Sequence, residues 1–123
     1  MNREDKRTQV RLKIPEGRVS YKNALGFDLF TTYTGPGELL DISKSGAGFI
    51  IGQPLELEDL IKVKIHIPGE KNLILRGQVR WVEADAESGR HRVGMQFAPY
   101  GYRRDYNSPN KLTRLGRLGE IYH

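Results

Sequence analysis

Ile61-Lys62-Val63-Lys64-Ile65-His66-Ile67 alternates apolar and polar residues without a break. Successive strand side chains point to opposite faces, so Val63, Ile65 and Ile67 share one face and Lys62, Lys64 and His66 the other. One face meets a core and the other meets water. The same period groups Leu73, Leu75, Gly77, Val79 and Trp81, and further on Val93, Met95 and Phe97. Outward from this stretch, short apolar, β-branched and aromatic runs recur between Gly, Pro and Asp, which predicts strands over 18–23, 27–33, 38–42, 46–51, 61–67, 73–82 and 90–97. The breaks at 67–72 and 84–89 read as hairpin connections. Half-buried antiparallel strands at this spacing form a small barrel or a sandwich. A barrel is preferred, because closure removes exposed strand edges.

A chain of 123 residues fits one domain and buries about two thirds of the surface its unfolded form exposes. With 37% hydrophobic and 28% charged residues it has an ordinary globular composition. The absence of cysteine excludes a disulfide framework and thiolate metal sites, and suits a cytoplasmic setting. The start lacks the apolar stretch of a signal peptide, and nowhere do apolar residues run long enough for a membrane span. The net charge of +5 favours an acidic partner such as a nucleotide, nucleic acid or anionic membrane surface, without choosing among them.

Residues 1–13 are polar and cationic, with little to bury before Leu12 and Ile14, so they are expected to form a flexible segment ahead of a domain over 14–123. Pro15-Glu16-Gly17 reads as a turn. Near the end, Ser108 stands at an N-cap position with Pro109 after it, and Leu112, Leu115, Leu118 and Ile121 follow at three-residue steps. This predicts a short amphipathic helix. Gly116 and Gly119 weaken it by about 1 kcal/mol each, so packing against the barrel must hold it.

Catalytic and metal chemistry have no visible apparatus. His66, His91 and His123 lack a neighbouring ligand at metal-site spacing. There is no Gly-x-Ser-x-Gly elbow, Cys/His pair or His-Glu-x-x-His helix. Ser43-Lys44-Ser45-Gly46 departs from the order of a phosphate-binding P-loop.

Two features remain. Arg7-Thr8-Gln9-Val10-Arg11 places two arginines four positions apart ahead of the first strand. Guanidinium groups clamp phosphate oxygens, bond the O6/N7 edge of guanine and stack on bases; alone, the pair also fits a solvated charged tail. The second feature is Asp41-Ile42-Ser43-Lys44-Ser45-Gly46 at the exit of an apolar strand. Alternation predicts Leu40 and Ile42 toward the core, and Asp41 and Ser43 together on the opposite side. Asp41 can accept the N–H donors of a guanine, and the Ser43 hydroxyl can serve base or phosphate. At Gly46 the missing Cβ permits unusual backbone angles and close approach of a ligand. A plain Asx or Ser turn linking two strands is the competing reading.

Arg7 and Arg11, followed by Asp41-x-Ser43-x-x-Gly46, resemble the two-part signature of PilZ domains. Gly48-Phe49-Ile50, Val79-Arg80-Trp81 and Val93-Gly94-Met95-Gln96-Phe97 look like the family's pattern as well, so the resemblance covers nearly the whole chain. It implies an all-β fold, a six-stranded antiparallel β-barrel with a short C-terminal α-helix, and binding of cyclic di-GMP, a bacterial second messenger, on the outer surface. It further implies that Arg7 and Arg11 grip phosphates and guanine while Asp41, Ser43 and Gly46 meet the other guanine face. The residue before the arginine pair, Lys6, is basic like the type associated with an intercalated pair of dinucleotides, although the family's usual residue there is Arg. By the same resemblance the N-terminal segment wraps over the ligand as a switch, with output through a protein partner, through a homodimer or through the segment at 100–106. No cofactor is implied. A single-stranded nucleic-acid-binding barrel is set lower, because Tyr21, Phe27, Phe30 and Tyr33 form no stacking stripe on one face. A PilZ-like docking scaffold that binds no nucleotide is disfavoured by the intact arginines, Asp41 and Ser43.

Overall fold

The computed structural model describes residues 10–24 and 32–122. Six strands, β1 (Arg18–Asn23), β2 (Thr34–Ile42), β3 (Gly46–Ile51), β4 (Leu60–His66), β5 (Leu73–Ala84) and β6 (His91–Phe97), precede one helix, α1 (Pro109–Ile121). The strands close into an antiparallel barrel in the order β1-β2-β3-β6-β5-β4, with β4 paired back to β1. The strand expected over 27–33 falls mostly outside the described residues, and Thr32 and Tyr33 lie ahead of β2 rather than in it. β2 begins at Thr34, earlier than the period suggested.

Alternation fills the barrel as expected on β4 and β6: Val63, Ile65 and Ile67 are buried, as are Val93, Met95 and Phe97. At two places a bulge breaks the period of two and corrects the expected facing. On β2 the register slips between Leu39 and Asp41, so Leu39 and Ile42 enter the core while Leu40 stays half-buried outside. On β5 it slips between Val79 and Trp81, so Val79 is buried and Trp81, expected on the core face, lies outside at 45% exposure. A bulge puts one extra residue on one strand and shifts every later side chain by one, which period counting cannot register.

The hairpin connections form where expected. Gly69 and Gly89 take positive φ values of 81° and 73°, a backbone region that a Cβ disfavours. The second hairpin is fastened by Asp85, whose carboxylate accepts the Ser88 N–H and hydroxyl at 3.1 and 2.6 Å. These bonds, with Arg92 and Arg90 nearby, hold its carboxyl below the usual range.

Ahead of β1, Leu12 bridges to Ile42 through paired backbone bonds of 2.7 and 3.0 Å, and both Leu12 and Ile14 belong to the core. The expected boundary between residues 13 and 14 therefore falls inside a docked stretch. α1 buries Leu115 and Leu118, while Leu112 and Ile121 remain largely outside. Ser108 precedes the helix without a capping bond to it. The helix is pinned to the β4–β5 hairpin by Arg114, which donates to the Lys71 and Asn72 carbonyls at 2.6 and 3.3 Å, and by an Arg117–Glu70 ion pair. Asn107 closes the segment at 100–106. Its buried amide accepts the Arg76 N–H at 2.8 Å and donates to the carbonyls of Arg76 and Ala98.

Candidate functional site

The outer face of β3 and β6 is paved with glycine. Gly48 and Gly94 oppose each other across the two strands, and Gly46 opposes Gln96. A Cβ on Gly94 would run into the Trp81 indole, which lies directly over it, and a Cβ on Gly46 into the Met95 carbonyl. Gly46 adopts no positive φ, so close strand approach is what demands glycine there, in place of the unusual turn angle expected from sequence. Over this floor runs an open groove of about 610 Å³, walled by Arg11, Asp41, Arg80, Trp81 and Arg92.

The bridge at Leu12 lays the preceding residue beside the end of β2. There Arg11 Nη1 donates to Asp41 Oδ1 at 2.7 Å, although the two residues are thirty positions apart in sequence. Two residues of the expected site are thus brought together. Lys6 and Arg7 lie outside the described residues.

Ser43 is placed differently from its expected partner. Asp41 faces the groove, whereas Ser43 is 3% exposed and turned into the loop. Its Oγ accepts the backbone N–H groups of Ser45 and Gly46 at 3.2 and 3.3 Å, while its own N–H donates to the Gly46 carbonyl at 2.8 Å. This is the Ser turn of the competing reading, and it sets the shape of the Asp41–Gly46 stretch. Tyr100 fixes the same turn from behind, its hydroxyl donating to the Lys44 carbonyl at 2.6 Å. Burial pushes the Tyr100 phenol up to about 12.

Arg92 and Trp81 are the site residues that the two motifs did not single out. Arg92 Nε is buried with no hydrogen-bond partner, and Asp85 Oδ1 stands 4.0 Å away. A buried donor without an acceptor costs about 1–3 kcal/mol. Trp81 offers a half-exposed aromatic surface beside Arg80. The alternation of β6 places Arg92 outward in line with Gly94, which was readable from sequence. The bulge that turns Trp81 outward was not.

The chemistry of the groove is that of an anion receiver: guanidinium donors, one carboxylate acceptor, an aromatic surface and a floor to which Gly46, Gly48 and Gly94 add no side chains. Among the described residues no cluster of His, Asp or Glu suits a metal ion, and no helix is long and apolar enough to cross a membrane.

A closed six-stranded antiparallel barrel of this order with one C-terminal helix is the architecture of a small all-β domain. The chain belongs to the PilZ domain family, whose profile matches residues 2–101. Solved structures agree in fold. Escherichia coli YcgR in complex with c-di-GMP superimposes with a TM-score of 0.68 at 13% identity, over 92% of this chain and 44% of that one. The PilZ domain of YcgR with c-di-GMP gives 0.63 at 14% identity, over 89% of this chain and 86% of that domain. Bacillus subtilis MotI/DgrA, an inhibitor of motility, gives 0.64 at 13% identity, over 89% of this chain and 47% of that one. The chain spans less than half the length of whole YcgR or MotI/DgrA. No curated protein matches it in sequence.

Proposed function

We propose that this chain is a receptor for cyclic di-GMP, which binds in the groove on the outer face of β3 and β6. The observation that carries the reading is the 2.7 Å contact between Arg11 and Asp41 at the edge of a glycine-floored groove. It joins the two halves of the family signature in space. Arg7 and Arg11 take phosphate oxygens and one guanine edge, with Lys6 adding charge beside them. Asp41 accepts from a guanine, Gly46 keeps the floor open, and Ser43 acts through the turn it holds. Trp81 supplies a stacking surface and Arg92 a further guanidinium.

The energetics favour exchange of partners. The Arg11 side chain is 55% exposed, and an exposed ion pair is worth only about 0–1 kcal/mol. Charge-assisted bonds to a phosphate contribute about 1.5–3 kcal/mol each. The ligand can therefore open the Arg11–Asp41 pair and take both groups. The residues ahead of Leu12, rich in arginine and lysine and poor in apolar surface, close over the ligand as they gain contacts, and this closure is the switch. Output passes to a protein partner or a second copy of the chain. Binding and closure account for this function without catalysis or a cofactor, in a cytoplasmic setting.

Selectivity tests the reading. Arginine donates twice to the O6 and N7 acceptors of guanine, whereas adenine presents a donor at the corresponding exocyclic position. One such bidentate contact discriminates by about 1–3 kcal/mol, so cyclic di-GMP should outcompete cyclic di-AMP by more than about tenfold. Competition titrations at about 150 mM salt measure this, because long-range attraction is screened beyond about 8 Å there. Equal competition by cyclic di-AMP, GTP or a single-stranded oligonucleotide would overturn the receptor in favour of a general anion-binding surface.

A further inference from the structure

One row of residues crosses the outer face from β5 to β2. The register pairs Trp81 with Gly94, Gly94 with Gly48, and Gly48 with Asp41. The bulges on β5 and β2 lie just before Trp81 and Asp41, so both ends of the row are set where the period of two is broken. Between the indole and the carboxylate stand two glycines. A glycine inside a strand weakens it and often marks a place where something else approaches closely. What approaches differs from one strand glycine to the next. A Cβ on Gly37, Gly46 or Gly77 would collide with a backbone carbonyl oxygen of the neighbouring strand, that of Ile50, Met95 or Gln96, so these glycines serve the barrel itself. At Gly94 the three nearest atoms all belong to the Trp81 indole, and even the farthest of them, Cζ2, would stand at 2.7 Å. At Gly48 the nearest atom would be Asp41 Oδ1 at 3.3 Å, a tight contact rather than a collision.

We infer that Gly94 is a positioning residue for the nucleotide: it seats the Trp81 indole over the floor of the groove, and the pose of that ring, as well as its presence, sets the affinity. The inference deepens the receptor reading and rests on it. The barrel does not itself require glycine here, because the obstacle is a half-exposed side chain that is free to turn away, whereas the carbonyls met at Gly37, Gly46 and Gly77 are held in the sheet. In Gly94→Ala the indole must leave the row, and the groove loses the wall that stands across the two glycines from Asp41. Aromatic stacking depends on the offset and separation of the rings. A displaced Trp81 therefore stacks poorly on a base, although no group that contacts the ligand has been removed.

Trp81 is the only tryptophan in the chain, so its fluorescence emission reports the seat directly. Calorimetric titration with cyclic di-GMP reports the site. The test is a cycle of the full chain as wild type, Gly94→Ala, Trp81→Ala and the double variant, which isolates what one position does through the other. Without ligand, the emission of Gly94→Ala should shift from that of the wild type as the ring leaves its seat. Nucleotide affinity should fall more than about fivefold, the lower end of what the loss of one stacked base costs. With Trp81 already replaced, adding Gly94→Ala should cost nothing further. Wild-type affinity or unchanged emission in Gly94→Ala would overturn the inference. So would an equal loss in both Trp81 backgrounds, because the added methyl would then act on the ligand by itself. A melting temperature of the double variant several degrees below that of Trp81→Ala would assign the glycine to the barrel and overturn it too. Failure of the wild type to bind cyclic di-GMP would remove the receptor reading and this inference with it, whereas wild-type binding that Gly94→Ala leaves intact removes the inference alone.

Discussion

The two broad faces of the barrel treat positive charge in opposite ways. Around the glycine floor of β3 and β6 several cations stand beside carboxylates: Arg11 with Asp41, Arg90 with Glu38, and Arg92 near Asp85. Around β1 and β4 cation faces cation across the strands, as at Lys22 and Lys62. The first face holds its charges in reserve, neutralised by weak exposed pairs that a better acceptor can open. The second sets like charges side by side across its strands, where Lys22 and Lys64 also pack on the Tyr33 ring. A net charge of +5 says nothing about this division; the strand register creates it.

The comparison is broken most decisively by moving the substitution from one face to the other. Arg11→Ala and Arg7→Ala should each weaken cyclic di-GMP binding by more than about tenfold, since each removes charge-assisted bonds to the ligand. The melting temperature of Arg11→Ala should hardly change, because its pair with Asp41 is exposed. Arg76→Ala on the other face should leave nucleotide affinity as it is. Titration of the three variants side by side checks this, and equal losses at Arg11 and Arg76 would erase the distinction between the faces.

A smaller effect separates shape from contact within the first face. Ser43→Ala leaves the Ser45 and Gly46 N–H groups without the acceptor they share. Chemical unfolding without ligand should show a loss of about 1–3 kcal/mol, as for other buried donors left unsatisfied. Nucleotide affinity should fall only as far as the turn loosens. A full loss of binding with stability intact would make the Ser43 hydroxyl a direct ligand contact.

The smallest effect lies at alkaline pH. The Tyr100 phenol is raised to about 12 in the fold by burial, against about 10 in the unfolded chain. The folded state keeps a proton that the unfolded state has lost, so this contribution is whole below pH 10 and fades as pH rises toward 12. Tyr100→Phe should flatten that stretch of the stability curve, and denaturation midpoints between pH 9 and about 12 report it. An unchanged slope in the variant would release Tyr100 from its role in bracing the turn at Lys44.

The barrel was legible because β4 and β6 keep a strict period of two, and the hairpin glycines mark their turns. The bulges were not legible. They turn Leu40 and Trp81 outward by adding a residue where composition gives no sign. At the site, the sequence motifs marked Arg11 and Asp41, and the structure places them in contact. It was blind to the burial of Ser43, which depends on a hydroxyl choosing backbone amides over solvent. Arg92, whose outward place the alternation of β6 allowed, lies outside both motifs, and its approach to Asp85 emerges only once the β5–β6 hairpin folds.

Calorimetric titration of the full chain with cyclic di-GMP at about 150 mM salt tests the central claim most directly, since one experiment reports both affinity and stoichiometry. The account predicts saturable binding that Arg11→Ala disrupts. With Lys6 ahead of the arginine pair, it predicts two dinucleotides per protomer. No heat of binding, or heat that Arg11→Ala leaves unchanged, would contradict it.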